Sequence, residues 1–140
     1  MIMNPEMTAF KTMFDYKLEP EVYSFHLLDA LIKDAEKEGI TNFPIHVKLD
    51  TGMHRLGFAP EDMPRLIERL KGQNAVIPRS VFSHFVGSDA QQFDAFTRKQ
   101  IETFEKASML LQEAFPYKIL RHICNSAGIE RFPGAQFDMV

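Results

Sequence analysis

The chain has 140 residues, 45% hydrophobic and 25% charged, a composition typical of one globular domain or part of a larger one. The net charge of -3 indicates no basic surface, so we expect no nucleic-acid partner. No apolar run reaches the roughly 20 residues that cross a bilayer, so we expect no membrane partner. The single cysteine, Cys124, excludes an internal disulfide and a multi-cysteine metal site; we expect no metal and, without a signal peptide, a cytoplasmic location.

Helix and strand signals alternate from the start of the chain. Ile2 and Met3 have the character of the end of a strand, and Asn4–Glu6 predict a helix start with an Asn cap, a first-turn proline and an acid. A short extended piece is expected at 18–23. A second helix is predicted to begin after a Ser24 cap and to end at Gly39.

The next predicted strand, Ile45–Asp50, alternates three apolar residues with three ionisable ones. Because side chains alternate between the faces of a strand, His46, Lys48 and Asp50 share one face, opposite the apolar set. A strand that buries one face and presents charged groups on the other usually borders a site. The chain then turns and carries Arg55 past the carboxyl end of the strand, where ligands bind in α/β architectures.

The second half contains five further predicted elements. They are a helix from Pro60 to Gly72, a strand at Val81–Phe85, the longest helix at Phe93–Phe115, a strand at Ile119–Cys124 and the start of a strand at Phe137–Val140. Strands that alternate with amphipathic helices favour βαβ units and a parallel sheet. Periodicity does not separate an open doubly wound sheet from a (β/α)8 barrel, but a complete barrel takes about 250 residues, so this chain would form only part of one.

Several stretches of the sequence resemble the alanine racemases, pyridoxal-phosphate enzymes whose N-terminal domain is a barrel. The matching stretches are His46–Gly57, Ser83–Asp89, His122–Gly128, Phe137–Val140 and the junction at Ile2–Glu6. The resemblance implies an α/β fold that is a partial (β/α)8 TIM-type barrel, with parallel strands alternating with helices and incomplete at both ends. Residues 1–140 are then expected to be a central slice of that N-terminal barrel domain, with about five or six of its eight strands.

The resemblance also implies which groups this chain lacks. The family's Schiff-base lysine lies in a Tyr-Gly-His-Gly-like segment that does not occur here, and Lys11 and Lys17 lie in a different context. The arginine that pairs with the pyridine nitrogen is expected directly after Val140, and the tyrosine base belongs to a C-terminal β-domain. We therefore expect a piece of a longer enzyme, with no catalytic residue in it, inactive by itself and without covalently bound cofactor.

The resemblance assigns binding roles to four residues. Arg55 is expected to contact the cofactor's phenolic oxygen and the substrate carboxylate, for which a planar, permanently charged guanidinium is suited. His84 is expected to pack its flat ring against the pyridoxal ring. Asn125 and Ser126 are expected to bind the cofactor phosphate, because donors at the start of a helix suit an anion. A helix cap without a ligand has the same local geometry and stays open as an alternative.

Lys48 is the expected supporting residue, and two interpretations of it are open. Burial penalises a charged amine, a neutral amine can add carbon dioxide, and the resemblance implies a carbamylated lysine that holds Arg55 in place. The alternative is an unmodified lysine in an ion pair with Asp50 or Asp138. Asp50 itself is expected to be structural.

The function that the resemblance implies is interconversion of L- and D-alanine with pyridoxal phosphate, supplying D-alanine for bacterial peptidoglycan. The family is homodimeric through the C-terminal domain. A barrel cut open exposes two sheet edges, so we expect this chain to self-associate. We also expect the apolar side chains of Phe82, Ile123 and Phe137 to lack some of the neighbours that would bury them. Two alternatives are a related racemase or decarboxylase for another amino acid, and a racemase-like barrel segment fused to a cell-wall ligase.

Overall fold

The structure, a computed structural model, describes residues 1–140 and contains one parallel sheet in the order β1-β2-β3-β4. In chain order the elements are α1 (Phe10–Asp15), β1 (Glu21–Val22), α2 (Phe25–Lys37), β2 (Phe43–Lys48), α3 (Met63–Lys71), β3 (Val76–Phe82), α4 (Asp94–Glu113), β4 (Leu120–His122) and α5 (Ser126–Arg131). A helix connects each pair of neighbouring strands, which confirms the predicted βαβ order. None of the five helices combines the length and apolar character that crossing a bilayer requires.

The predicted helix start at Asn4–Glu6 is wrong. The first helix, α1, begins only at Phe10, after a 3-10 turn at Met7–Ala9. Asn4 has a φ of +45°, and its backbone N–H donates to the Glu21 Oε1 at 2.6 Å. Its side-chain oxygen accepts a hydrogen bond from the Tyr23 hydroxyl at 2.8 Å, so this asparagine is engaged with the β1 segment and does not cap a helix.

Two predicted strands also differ from the structure. β3 covers Val76–Phe82 rather than Val81–Phe85, so the last three predicted residues lie in a loop. Phe137–Val140 is not a strand: Phe137 has a φ of +50°, and the segment meets β4 through Asp138, whose N–H donates to the Arg121 carbonyl at 3.0 Å. The sheet therefore has four strands, fewer than expected from the sequence.

A proline explains why the first half of β3 escaped prediction. Pro78 lacks an N–H and is rarely found inside a sheet. The register with β2 shifts directly after Pro78, so that Arg79 is left out of the pairing and Ser80 faces His46. Such a bulge bends a strand and can turn its side chains to the other face. The guanidinium of Arg79 pairs instead with the Glu19 carboxylate.

The two faces of the sheet differ in chemistry, as the alternation in β2 predicted. Ile45 and Val47 are fully buried in the apolar core that the sheet shares with the helices. The opposite face carries a first row of Glu21, His46, Ser80 and Leu120 and a second row of Lys48, Phe82 and His122. This polar face positions the candidate site at its carboxyl end.

The expectation of uncovered apolar residues is wrong for Phe82 and Ile123, which are 5% and 1% exposed. The ring of Phe82 is covered by the His122 imidazole, stacked on it at a centroid distance of 5.1 Å. Phe137 is partly buried, with its ring edge-on to Phe104 at 5.2 Å. Neighbours within the chain therefore cover these positions.

The loop that follows β2, Asp50–Gly57, folds back so that the residue after it, Phe58, is hydrogen-bonded to the end of β2. The Asp50 N–H donates to the Phe58 carbonyl at 2.9 Å, and the Phe58 N–H donates to the Lys48 carbonyl at 2.8 Å. Gly57 makes this close return possible, because it has a φ of +141° and a Cβ there would collide with the Asp50 nitrogen and lie 2.6 Å from the Leu49 carbonyl carbon.

His46 and His122 are the ionisable rings of the polar face. His46 bonds through Nδ1 to the Ser80 hydroxyl at 2.6 Å and through Nε2 to a Glu19 carboxylate oxygen at 2.9 Å. The buried Nε2 of His122 has no hydrogen-bond partner. Burial lowers the pKa of His122 from 6.5 to about 4, with a smaller contribution from His46, and burial also lowers the pKa of His46.

We predict that replacing Gly57 by alanine lowers the free energy of unfolding by about 1–3 kcal/mol, because the new Cβ would collide with backbone that cannot move aside. Denaturant unfolding measures the effect. Gly134→Ala is the matched control, since a Cβ at Gly134 would have no atom within 4 Å, and it should change stability by less than about 0.5 kcal/mol. Equal effects of the two substitutions would contradict the proposed crowding at Gly57.

We predict that the chain loses stability as pH falls from 6.5 toward about 4, the window set by His122. The pKa of His122 is lower in the folded than in the unfolded chain, so the unfolded chain binds more protons in this window. His122→Phe keeps the stacked ring but removes the titration, and should reduce the loss by on the order of 1–2 kcal/mol. Urea unfolding at both ends of the window tests this; an unchanged pH dependence in the variant would contradict it.

Candidate functional site

The carboxyl ends of β2, β3 and β4 bring the predicted site residues to one end of the sheet. Lys48 is the last residue of β2, and Arg55 lies in the loop that follows it. His84 lies in the loop after β3, and Asn125 and Ser126 begin α5 just after β4. Neighbouring parallel strands place these loops side by side, at the end of the sheet where α/β proteins bind ligands.

Asp50 organises the loop that carries Arg55. Its Oδ1 accepts hydrogen bonds from the N–H groups of Gly52 at 2.9 Å and His54 at 3.0 Å. Burial raises the pKa of the Asp50 carboxyl, but these N–H donors and the nearby His54 ring outweigh burial, and the pKa is lowered. The carboxylate therefore stabilises the turn, which agrees with a structural role for Asp50.

Arg55 and His84 are near enough for the arginine charge to act on the imidazole. Both residues are exposed, and Arg55 takes part in none of the ion pairs of the chain. Partial burial of the imidazole within this otherwise exposed residue lowers the pKa of His84 below 6.5, and the positive charges of Arg55 and Lys48 lower it further. The imidazole is consequently neutral at neutral pH, and the guanidinium is free to bind an anion.

Lys48 forms a buried ion pair that the sequence did not predict. Its Nζ donates to the Glu21 Oε2 at 3.2 Å, with the two side chains 6% and 1% exposed. The predicted partners are wrong: Asp50 bonds within its own loop, and Asp138 pairs with Lys118 at 2.6 Å. A buried charge without a partner is costly, so Glu21 and Lys48 stabilise each other in this position.

Glu21 is thus the principal residue that sequence reasoning missed. It lies 27 residues before Lys48 and in a strand of two residues, too short for a periodic pattern. The signal that could have found it is the parallel pairing itself, since β1 places Glu21 beside His46 on the polar face.

The start of α5 holds several unused hydrogen-bond donors. Asn125 caps the helix, because its Oδ1 accepts from the Gly128 N–H at 2.9 Å and also from the Ser88 hydroxyl at 2.7 Å. The N–H groups of Ser126 and Ala127 and the exposed Ser126 hydroxyl make no hydrogen bond within the chain. The cap and an anion site are therefore compatible, since the cap uses the asparagine oxygen and leaves these donors free.

Together these groups suit a ligand that combines an anionic phosphate, a flat ring and a carboxylate. The free donors at Ser126 fit a phosphate, the neutral ring of His84 fits an aromatic face, and Arg55 fits a carboxylate or a phenolic oxygen. Pyridoxal phosphate with an amino acid has these parts. No three His, Cys, Asp or Glu side chains come together in an arrangement that could hold a metal ion.

Comparisons with known proteins identify a family that the whole chain matches. The profile of the family described as alanine racemase, N-terminal domain, matches residues 1–140. Alanine racemase 1 of Oceanobacillus iheyensis is 36% identical over 133 residues, covering 94% of this chain and 35% of that protein. The alanine racemase of Carboxydothermus hydrogenoformans is 35% identical over 136 residues, covering 97% of this chain and 36% of that protein.

Solved structures of alanine racemases have the same fold as this chain over almost all of its length. The alanine racemase of Clostridium difficile 630 matches with a TM-score of 0.86 and 30% identity, covering 99% of this chain and 37% of that one. Its complex with cycloserine matches with a TM-score of 0.87. This confirms the predicted α/β fold as part of a barrel domain. The chain spans about a third of the length of these relatives. By sequence and by structure, it belongs to the alanine racemase N-terminal domain family.

Proposed function

We propose that this chain is the part of a pyridoxal-phosphate-dependent alanine racemase that binds the cofactor and the substrate. The complete enzyme would interconvert L- and D-alanine in the cytoplasm and supply D-alanine for peptidoglycan. The family match over all 140 residues and the names of the relatives support the reaction. The observation that carries the proposal is the placement of an unpaired Arg55 beside the neutral ring of His84 at the end of the sheet.

Arg55 is proposed to bind the substrate carboxylate and the phenolic oxygen of the cofactor. When bound, pyridoxal phosphate supplies an electron sink for the negative charge that develops at the amino-acid Cα. The permanent charge of Arg55 stabilises anionic groups at every pH of interest, and no carboxylate of the chain competes for it. The hydrogen bonds from Gly52 and His54 to Asp50 fix the backbone of the loop next to Arg55.

His84 is proposed to support the flat face of the cofactor with an uncharged ring. Its lowered pKa keeps it neutral, so it adds no second positive charge beside Arg55. Asn125 and Ser126 are proposed to bind the phosphate through the Ser126 hydroxyl, the free N–H groups of the first turn of α5 and the asparagine amide.

Lys48 is proposed to support Arg55 from the buried side of the site. Its carbamylation stays a proposal: the Nζ ammonium first loses a proton, the neutral amine then adds carbon dioxide through a new C–N bond, and a second proton is released, so that a cation is replaced by an anion. Because the Glu21 carboxylate lies 3.2 Å from Nζ, a carbamate would require Glu21 to take up a proton or to move away. The unmodified ammonium already has its counter-ion there.

No residue of the chain is proposed as a proton-transfer group at Cα. The family resemblance assigns that role to a lysine and a tyrosine that match no position in this sequence. Two alternatives from the sequence remain to be tested: an enzyme of the same fold acting on another amino acid, and a racemase-like segment fused to a cell-wall ligase.

The test is a chimera in which residues 1–140 replace the matching segment of the Clostridium difficile alanine racemase. We predict that the folded chimera, loaded with pyridoxal phosphate, racemises alanine, as measured by chiral chromatography, whereas the isolated chain does not. Arg55→Ala should lower kcat/KM by about 10²–10³-fold, because it removes a charge that contacts the reacting molecule.

A pair of substitutions at His84 separates packing from titration in the same chimera. His84→Phe keeps a flat ring and should retain activity within about tenfold, whereas His84→Ala should lose more. Circular dichroism checks that each variant folds. A folded chimera that binds the cofactor but acts only on another amino acid would replace the alanine assignment by the related racemase or decarboxylase.

We also propose that the complete enzyme is a homodimer and that the isolated chain self-associates through other contacts. Exposed apolar side chains lie at both margins of the sheet: Met1 and Met3 flank the bridge from Ile2 to Pro20, and the carboxyl end carries exposed Met139 and Val140. Unpaired edge groups and apolar side chains together favour pairing with another copy.

Light scattering of the isolated chain over a concentration series tests self-association. We predict that the apparent mass rises above 16.1 kDa as concentration increases. Replacing Met139 and Val140 by lysine should reduce the rise, because charge on an exposed edge opposes pairing. Replacing Met109 and Leu110 by lysine is the control, because both are exposed and lie on helix α4 rather than on a sheet edge. A constant monomeric mass at all concentrations would contradict the proposal.

A further inference from the structure

Gln100, on α4, has a buried side chain whose amide connects two loops of the candidate site. It is 1% exposed, and its Nε2 donates to the Thr51 hydroxyl oxygen at 3.2 Å and to the His84 carbonyl at 3.1 Å. Its Oε1 accepts the Val86 N–H at 3.1 Å. The donor to Oε1 is a backbone N–H, so the orientation of the amide is determined, with both nitrogen protons directed to the loops.

The bond to Thr51 begins a directed chain of hydrogen bonds. The Ser83 hydroxyl donates to the Leu49 carbonyl at 2.8 Å, so its oxygen accepts the hydrogen bond that joins it to the Thr51 hydroxyl, also at 2.8 Å. Thr51 in turn accepts from Gln100. Each hydroxyl thus donates to one partner and accepts from another, and the hydrogen bonds run from Gln100 on α4 to Thr51 in the loop after β2, then to Ser83 in the loop after β3 and to the Leu49 carbonyl just after β2.

These contacts couple the two loops that carry the proposed binding groups. Thr51 belongs to the loop that holds Arg55, and Gln100 bonds directly to the backbone of His84. Arg55 and His84 are exposed in these loops, whereas Gln100 is buried and belongs to α4, a helix of 20 residues. A glutamine is needed here because only an amide offers two donors and one acceptor in this arrangement.

A second glutamine on the same helix shows what a purely structural version of this contact looks like. Gln112 donates to the Tyr117 carbonyl at 2.8 Å and accepts the Ile119 N–H at 2.8 Å. It stabilises the turn from α4 into β4, at the opposite end of the sheet from the candidate site. The two glutamines make similar backbone contacts, but only Gln100 touches the loops of the site.

We propose that Gln100 is a positioning residue, which sets the loop of Arg55 and the backbone of His84 relative to each other; this role rests on the proposed function of the same site. It contacts neither ligand and acts through Thr51 and His84. Its loss should change the geometry of the site, whereas the loss of Gln112 should change stability only.

The experiment compares Gln100→Met with Gln112→Met, two neutral substitutions of similar size that remove the amide. Nuclear magnetic resonance follows the imidazole titration of His84 in the 140-residue chain, which needs neither cofactor nor substrate. In Gln100→Met we expect the titration midpoint of His84 to rise by about half a pH unit or more, as the ring leaves the charges of Arg55 and Lys48. Gln112→Met should leave that midpoint unchanged.

In the racemase chimera, Gln100→Met should lower kcat/KM by about tenfold to a hundredfold, and Gln112→Met by less than about twofold while folded. An unchanged His84 titration together with unchanged kinetics in Gln100→Met would overturn the inference while leaving the proposed function intact. A shifted titration in a chimera that never racemises alanine would overturn the function and leave the coupling of the loops intact.

A milder variant keeps the test usable if Gln100→Met does not fold. Thr51→Val removes one hydroxyl of the chain and leaves the bond from Gln100 to His84 in place. We expect faster amide hydrogen exchange in the Asp50–Gly57 loop and unchanged exchange in α5. Equal exchange rates in the loop before and after this substitution would overturn the inference.

Discussion

The parallel pairing of β2 with β3 determines where the groups of the candidate site lie. Its register places Lys48 opposite Phe82 and His46 opposite Ser80, so that one face of the sheet collects polar side chains. The shift after Pro78 is essential to this result, because a register displaced by one residue would turn the following side chains of β3 to the other face. From the same pairing, the loops after the two strands emerge side by side and bring Arg55 near His84.

Two glutamates bind the basic groups on and beside that face, and this sets the electrostatics of the site. Glu21 neutralises the buried Lys48, and Glu19 pairs with the exposed Arg79 and is hydrogen-bonded to His46. Arg55 is a cation left without an internal partner, which is why its charge is available to a ligand and is felt by the neighbouring ring of His84. The neutral imidazole follows from burial and from these positive charges together.

Near-neighbour signals in the sequence predicted several elements correctly. The Ser24 cap is present, with its hydroxyl oxygen accepting from the Leu27 N–H at 3.2 Å, and α2 ends before Gly39, which has a φ of +68°. The alternation in β2 correctly divided the core from the polar face. The helix start at Asn4 failed because this asparagine is bonded to Glu21 and Tyr23, 17 and 19 residues later, which overrides its local preference.

Patterns within short stretches of the chain were sufficient for the alternation of strands and helices as far as β4, for the family, and for the loops that carry Arg55, His84 and the Asn125-Ser126 pair. Periodicity, turn residues and a motif carry this information, and each is local. Three further features required the folded chain: the pairing of Lys48 with Glu21, the lowered pKa of His122 under a stacked ring, and the bridge that Gln100 makes between two loops. These contacts join residues far apart in sequence, and their geometry depends on strand register and helix packing, which no local pattern specifies.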